Sequence, residues 1–285
     1  PELHQRLLQG LKDKYNLPRP RKQSRARPSS TLVIPTYNRP AELELCLRSI
    51  LGQTALPDEV LVIDDGQLEY LPLETEFSEK QIELRHLQKE TPGLTESRNL
   101  GAREATSEIL FYLDDDVALF PDYIQEILKV YEADPEGEIL GVGGMIANPK
   151  PMTMARKLRY FFDCLFLNRG FAEGKVLSSG FCTDYNTTIF PVKKNRQVDF
   201  LDGGVSSFRH SIFDKFSFTD SYRDYGLGED KDFSFALAKA SRIMVTPKAR
   251  LYHYESPLMR PDKRAWGRKF ILGRYLFFKK YVRKG

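Results

Sequence analysis

Residues 110–117, LFYLDDDV, end an apolar run in three adjacent aspartates, Asp114, Asp115 and Asp116. Like charges at that spacing repel one another, and a strand end does not require them. Alternate carboxylates just past a strand can converge on one hard divalent cation, which prefers oxygen ligands and retains room for waters or phosphates. Such an ion neutralises a departing diphosphate without any proton transfer. An acidic turn or a helix cap would give the same residues a purely structural role. A second acidic group, Glu229 and Asp230 in GLGEDKDF, sits where a helix is expected to begin. The positive end of a helix dipole favours the ionised form that a general base needs, and a hydroxyl nucleophile of high pKa requires such a base. First-turn acids also act simply as caps, and Asp232 has that supporting character. His253, between Tyr252 and Tyr254, is open to two readings, a packed core residue or a ligand.

These groups need a scaffold, and hydrophobic periodicity supplies one. TLVIP (31–35) and EVLVIDDG (59–66) are short buried strands, residues 81–88 a weaker third, and EILFYLDDD a fourth. Between them, residues 41–53 form an amphipathic helix with Leu43, Leu47, Ile50 and Leu51 on one face. Residues 95–106 form another, with Thr95 as its N-cap. The next helix covers 121–134, with Pro121 at its start, followed by a strand at 141–146. The alternation predicts an α/β fold whose mostly parallel sheet is flanked by helices. In such sheets ligands bind beyond the carboxyl ends of the strands, where residues 35–39, 64–66 and 114–116 all fall. Residues 151–200 give no clear period, and VDFLDGGVSSFRHSIFDKF suggests a turn leading into a helix. Residues 228–241 read as a helix opened by acids, 251–256 as a short strand or loop, and 265–282 as a basic, aromatic helix.

Five segments then stand in a telling order: VIPTYNRP, LVIDDG, TPGLTESRNLG, FYLDDDV and GLGEDKDF. In this the chain resembles the inverting, GT-A-type glycosyltransferases of the large family that includes cellulose, chitin and hyaluronan synthases. The resemblance covers about residues 31–256 and implies the GT-A (nucleotide-diphospho-sugar transferase) fold, with a Mn²⁺ or Mg²⁺ cofactor. It implies that Pro35, Thr36, Tyr37 and Arg39 flank the nucleotide base, and that Asp65, with Asp64 as the alternative, bonds the base or ribose. Arg98 and Asn99 would lie near the base, ribose or phosphates. Asp114 would face ribose and metal, Asp116 would be the main metal ligand, and Asp115 would support the turn beside the nucleotide-sugar. In the family the Asp of the ED pair commonly serves as base, which favours Asp230 with Glu229 second. Some relatives place a His about two dozen residues further on as another metal ligand, a spacing that His253 matches. LDGGVSSFRH resembles the segment lining the donor-sugar pocket, where Asp202 would bind sugar hydroxyls and Gly203 and Gly204 would admit close approach of the backbone. The Q/RxxRW motif of processive synthases has no counterpart, so the non-processive type, transferring one sugar, is expected.

The net charge of +4 conceals an acidic body between basic ends. Residues 1–30 carry eight Lys/Arg and two acids, and residues 260–285 ten Lys/Arg and one acid. The expected division is a basic N-terminal arm (1–30), a catalytic domain (31–256) and a basic aromatic C-terminal helix (257–285). Within the catalytic domain, 31–120 would bind the nucleotide and 121–256 the acceptor. The C-terminal helix could lie on an anionic membrane surface or pack on its own domain; no nucleic-acid module accompanies it. Cys46, Cys164 and Cys182 show no paired spacing, which fits reduced thiols in a cytoplasmic protein; with the C-terminal helix on a membrane, it would be peripheral at the inner face of the cell membrane. Expected partners are a nucleotide-diphosphate sugar, with a UDP-sugar favoured, and a glycan or lipid-linked acceptor. Two rival classes remain: a metal-dependent nucleotidyltransferase, which usually opens on a Gly-rich phosphate loop unlike PTYNRP, and a non-catalytic membrane-binding protein.

Overall fold

A computed structural model describes residues 27–149, 151, 153–166, 168–186, 191–222, 227–258 and 262–283. The basic arm expected over residues 1–30 lies, as far as residue 26, outside the described residues, as does Gly226 of the late acidic motif.

The first half alternates strand and helix: β1 (Ser30–Thr36), α1 (Pro40–Leu51), β2 (Glu59–Asp64), α2 (Glu74–Glu79), β3 (Glu83–Gln88), α3 (Leu94–Glu104) and β4 (Ile109–Leu113). The four strands pair in parallel in the order β3-β2-β1-β4. Because strand side chains alternate between faces, Leu32, Ile34, Val60, Val62 and Phe111 join one core. Val33, Leu61, Ile63 and Leu110 join the other. Leu43, Leu47 and Ile50 of α1 cover the first face, and Ala102 of α3 lies on the second. Pro40 opens α1, its fixed φ being already suited to a first helical turn.

The chain continues with β5 (Val117–Leu119), α4 (Tyr123–Glu132), β6 (Ile139–Ile146), α5 (Met154–Leu165), β7 (Lys175–Val176), β8 (Cys182–Thr183), β9 (Arg196–Val198) and β10 (Val205–Arg209). It closes with α6 (Glu229–Ala240), β11 (Arg242–His253) and α7 (Lys263–Tyr281). β10 enters the middle of the sheet, antiparallel to both β4 and β6. β11 runs parallel to β6 and antiparallel to β5 and β9. One mixed, nine-stranded sheet therefore passes through both halves, and β7 and β8 form a separate hairpin.

Several expectations change. The turn-then-helix expected around residues 198–216 is instead a turn, strand β10 and a short 3₁₀ turn, His210–Asp214. Ser206 and Ser207 disguise the strand. Their burial is tolerated because Ser207 Oγ donates to the Val142 carbonyl at 2.8 Å and Ser206 Oγ to that of Gly203. Helix α5 falls in the stretch without clear period, with the Thr153 hydroxyl accepting from the Arg156 N–H. β11 is far longer than the expected 251–256, since its register shift between Val245 and Arg250 accommodates Pro247. Thr95 is not the cap of α3. Gly93 holds that place, its N–H donating to Asp65 Oδ2 at 3.1 Å, so an acceptor from the end of β2 sets the helix start.

Helix α7 packs on its own domain. Phe277 is buried, its ring 5.2 Å from that of Phe235 on α6. Lys280 Nζ donates to Asp232 at 2.8 Å. That contact gives Asp232 the supporting role expected of it.

Gly101 of α3 sits against Val33 of β1, so close that a Cβ there would overlap the Val33 side chain. Helix propensity alone favours Ala over Gly by about 1 kcal/mol, whereas overpacking a core costs about 1–3 kcal/mol. Gly101→Ala is therefore expected to lose stability in urea unfolding; a net gain would show that α3 and β1 yield freely there.

Candidate active site

β1, β2 and β4 end on the same side of the sheet, and their turns form one wall of a cleft of about 640 Å³. Pro35, Thr36, Tyr37, Arg39 and Asp65 line it together with the aspartate triplet. The opposite wall comes from Asp202–Val205 and from Glu229 and Asp230 at the start of α6. Eight carboxylates line the cleft, against the guanidinium groups of Arg39 and Arg98 and the imidazole of His253.

The triplet fills the turn between β4 and β5, and its side chains part there. Asp115 is buried and turned toward the end of β1, accepting from Thr36 Oγ1 at 2.8 Å and from Arg39 at 3.0 Å. Burial pushes its pKa up to about 6, restrained by those two donors. Asp114 and Asp116 meet His253 instead. The β11–β5 ladder pairs His253 with Val117, which places His253 Nε2 3.1 Å from Asp116 and 3.7 Å from Asp114. Asn148 fixes the His253 backbone through a reciprocal pair of 2.9 Å hydrogen bonds. The Ser256 N–H donates to Asp116 Oδ2 at 2.8 Å. Burial is the largest influence and opposes charge on both groups, but their mutual hydrogen bond, the neighbouring charges and, for Asp116, the Ser256 N–H together outweigh it, holding Asp116 below and His253 above their ordinary pKa values. One ligand atom from each of Asp114, Asp116 and His253 lies within 4.8 Å of the other two. Two carboxylates and an imidazole facing an acid-rich cleft are a donor set that fits a divalent cation.

Across the cleft, Arg98 of α3 donates to Glu229 at 2.8 Å, with Asp114 3.9 Å away. Both members of the Arg98–Glu229 pair are buried. Desolvation works against the guanidinium, but Glu229, Asp114 and Asp230 more than offset it and raise its pKa. Glu229 is raised by burial and by the neighbouring Asp230. Asp230 is less buried and its carboxylate accepts from the Gly203 N–H at 2.9 Å and the Lys231 N–H at 2.7 Å. A smaller recess of about 160 Å³, partly formed by Cys182, Phe270 and Arg274, shares Asp202, Leu227 and Asp230 with the main cleft. Asp230 thus stands where the two spaces meet.

Not every expected residue reaches the cleft. Asp64 turns inward, accepting from the N–H groups of Gly66 and Leu68, so of the two aspartates Asp65 is the one that lines the cleft. Asp65 is held by Lys89 Nζ at 2.8 Å and Ser97 Oγ at 2.8 Å. Asn99 bonds both backbone groups of Phe218, at 2.8 and 2.9 Å, outside the cleft lining. Gly203 and Gly204 do line the cleft, and the groups pressed against them are Arg98 and Asp114, which a Cβ at either position would strike.

Other lining residues gave no sequence signal. Asp184 and Asn186 belong to the stretch without period, yet Asn186 donates to Asp202 at 2.7 Å and accepts from the Ile146 N–H at 2.9 Å. Burial and the nearby Asp184 charge raise the Asp202 pKa to about 7. Lys231, next to Asp230, extends over the Phe200 ring at 4.8 Å. Only its neighbours in the ED motif could have drawn attention to it.

The family model described as Glycosyl transferase family 2 matches residues 31–216. A hyaluronan synthase from Pasteurella multocida is 26% identical over 241 residues, covering 80% of this chain and 24% of that protein. Two solved structures share the architecture. GalNAc-T7 with UDP, GalNAc and Mn²⁺ superposes with a TM-score of 0.63 at 15% identity, covering 90% of this chain and 48% of that one. The mannosyltransferase PcManGT from Pyrobaculum calidifontis, in complex with GDP-Man and Mn²⁺, gives 0.59 at 18% identity, covering 99% and 71%. The sheet and its flanking helices are thus the GT-A fold. The chain spans less than half the length of the curated relatives it matches.

Removing one partner of a buried ion pair costs about 3–5 kcal/mol, because the other charge is left uncompensated. Arg98→Met should lose that much in urea unfolding, and adding Glu229→Gln should restore part of it. Simple additivity of the two changes would show that the pair is not coupled.

Proposed function

The chain belongs to glycosyl transferase family 2, and from that premise we propose that it moves one sugar from a nucleoside-diphosphate sugar to an acceptor hydroxyl, with inversion. The observation that carries this reading is the presence of two groups in one cleft: the Asp114–Asp116–His253 cluster and the separately held carboxylate of Asp230. The first half of the chain supplies the nucleotide side, through Pro35, Thr36, Tyr37 and Asp65. The second supplies the acceptor side.

Asp114, Asp116 and His253 would hold Mn²⁺ or Mg²⁺. When bound, that ion neutralises the diphosphate that leaves. The structures of GalNAc-T7 and PcManGT, which contain Mn²⁺ with UDP or GDP-Man, support a donor of this class. The family's commonest donors favour a UDP-sugar.

The acceptor hydroxyl, of a glycan or lipid-linked molecule, approaches from the recess at which Asp230 stands. Its oxygen attacks the anomeric carbon while Asp230 takes its proton. The bond from that carbon to the diphosphate oxygen breaks, and its electron pair leaves with the nucleoside diphosphate. Two backbone N–H bonds fix the Asp230 carboxylate without neutralising it. Glu229 is less suited to the task, being committed to Arg98, although its buried Oε2 has no hydrogen-bond partner among the described residues. That atom is free to receive a sugar hydroxyl. Asp202, its pKa raised to about 7, is protonated in part near neutral pH and can exchange hydrogen bonds with the transferred sugar in either direction. The three free thiols fit a reducing compartment, the cytoplasm.

Calorimetry with a panel of nucleotide-sugars, with and without Mn²⁺, tests the donor class. Asp116→Ala should abolish Mn²⁺-dependent donor binding. Asp230→Asn should leave that binding in place and lower turnover by about 10²–10⁴-fold; near-normal turnover would remove it as the base. NMR of the product's anomeric configuration decides between inversion and retention.

A further inference from the structure

Eleven of the seventeen large hydrophobic side chains that stand exposed among the described residues lie in only two places, residues 154–171 and α7. Of the other six, Tyr37, Leu45 and Tyr70 stand singly, which is ordinary for a protein surface, and Tyr252, Tyr254 and Leu258 lie beside His253 in the chain. On α5 they form a stripe: Met154, Leu158, Phe161 and Leu165 follow at intervals of four, three and four. Phe162 lies beside them, and Phe166 and Phe171 just beyond. These seven side chains are 46–79% exposed. The helix keeps only Tyr160 and Cys164 buried, and its exposed cations Arg156, Lys157 and Arg159 flank the apolar stripe.

Helix α7 repeats the pattern on the side turned away from α6. Ile271, Tyr275 and Phe278 are exposed at intervals of four and three, with Arg264, Arg268 and Lys279 interleaved. Its Phe277 and Gly273 side is used up in packing on the domain. The basic aromatic helix expected from sequence therefore has only this one face to offer a surface.

One segment, residues 170–183, touches both helices. Tyr160 of α5 donates to the Gly170 carbonyl at 3.1 Å, and the Gly170 N–H donates to Thr183 Oγ1 at 2.7 Å. The same segment meets α7, where the Arg274 guanidinium lies 4.4 Å from the Phe181 ring centre and Gly180 packs beside Phe278.

We propose that the exposed faces of α5 and α7 form one surface that docks on an anionic lipid bilayer, with Phe161, Leu165, Ile271 and Phe278 entering the acyl boundary. Arg156, Lys157, Arg159, Arg264 and Arg268 then meet the lipid phosphates. Charge selects this occupant. An apolar stripe rimmed by cations matches the interfacial helix pattern, and each basic residue near an anionic surface contributes about 1 kcal/mol. Among the described residues no helix is long and apolar enough to cross a membrane, so the contact is peripheral. Its consequence for catalysis rests on the transferase reading. Gly180, Cys182 and Arg274 border both this surface and the recess at Asp230, so docking would bring the acceptor side of the site to the bilayer and favour a lipid-linked acceptor.

The full chain should co-sediment with vesicles of phosphatidylcholine and phosphatidylserine, more weakly as salt is raised, and should not co-sediment with phosphatidylcholine alone. Phe161→Glu combined with Leu165→Glu, and separately Ile271→Glu, should each lower the bound fraction about tenfold with an unchanged thermal melt. Equal binding to both vesicle types, or none, would overturn the proposal, as would wild-type binding by the variants. Dimerisation in solution that the same substitutions abolish, without vesicle binding, would assign the face to a second copy of the chain instead. Mn²⁺-dependent donor binding is measured in parallel, so loss of docking and failure of the transferase reading give different results.

Discussion

The buried pair of Arg98 and Glu229 joins parts of the chain 131 residues apart, and much of the site depends on that contact. Withdrawing a guanidinium from water costs several kcal/mol, so it is tolerated only where partners surround it. Here Glu229 bonds it, Asp114 lies near it, and the Phe218 ring stands 5.4 Å from its centre. Phe218 in turn stacks on Phe233 of α6 at 4.1 Å, and Asn99 fixes its backbone. The start of α6, and with it Asp230, is thereby registered against the end of β4. The backbone at Gly203 and Gly204 runs so close to Arg98 and Asp114 that no side chain could be carried there.

A second constraint is charge. Eight carboxylates share one cleft with two guanidinium groups, and unit charges 4 Å apart still interact by about 4 kcal/mol at an effective dielectric of 20. Such a cleft favours cations over anions. On the proposed function, cation and diphosphate would therefore bind with strong mutual dependence, each relieving repulsion that the other alone would meet. Burial is the counterpart of this arrangement. It raises the pKa of Asp115 to about 6 and of Asp202 to about 7, whereas Asp116, held by His253 and the Ser256 N–H, is lowered.

What the sequence revealed and what it concealed divide along the same line. Strands β1, β2 and β4 and helices α1 and α6 were legible because each satisfies its own periodicity or caps, and the acids at their ends stand out against apolar runs. β10 was not. Its central serines are acceptable only because Val142 and Gly203 offer carbonyls from elsewhere. Asn99 carries the polar signature of a ligand contact, yet it serves the backbone of Phe218. Asp64 and Asp65 are adjacent and chemically alike, and only the pleat separates the one that closes a turn from the one that lines the cleft. Asn186 and Lys231 have no local signal, since their partners lie on other strands and helices.

The triplet fills the turn between β4 and β5, and its side chains part there. Asp114 and Asp116 meet His253, whereas Asp115 faces the end of β1. On its side, Asp115 receives Thr36 and Arg39, which ties the turn between β1 and α1 to the end of β4. Arg39 also lies 3.9 Å from Asp116, so the anchoring cation sits behind the cation site without occupying it. On the opposite side, the β11–β5 register brings His253 in from a strand distant in sequence. Without Asp115 the nearest carboxylate left to Arg39 would be Asp116, toward which its charge would be drawn. The middle aspartate keeps the outer two available.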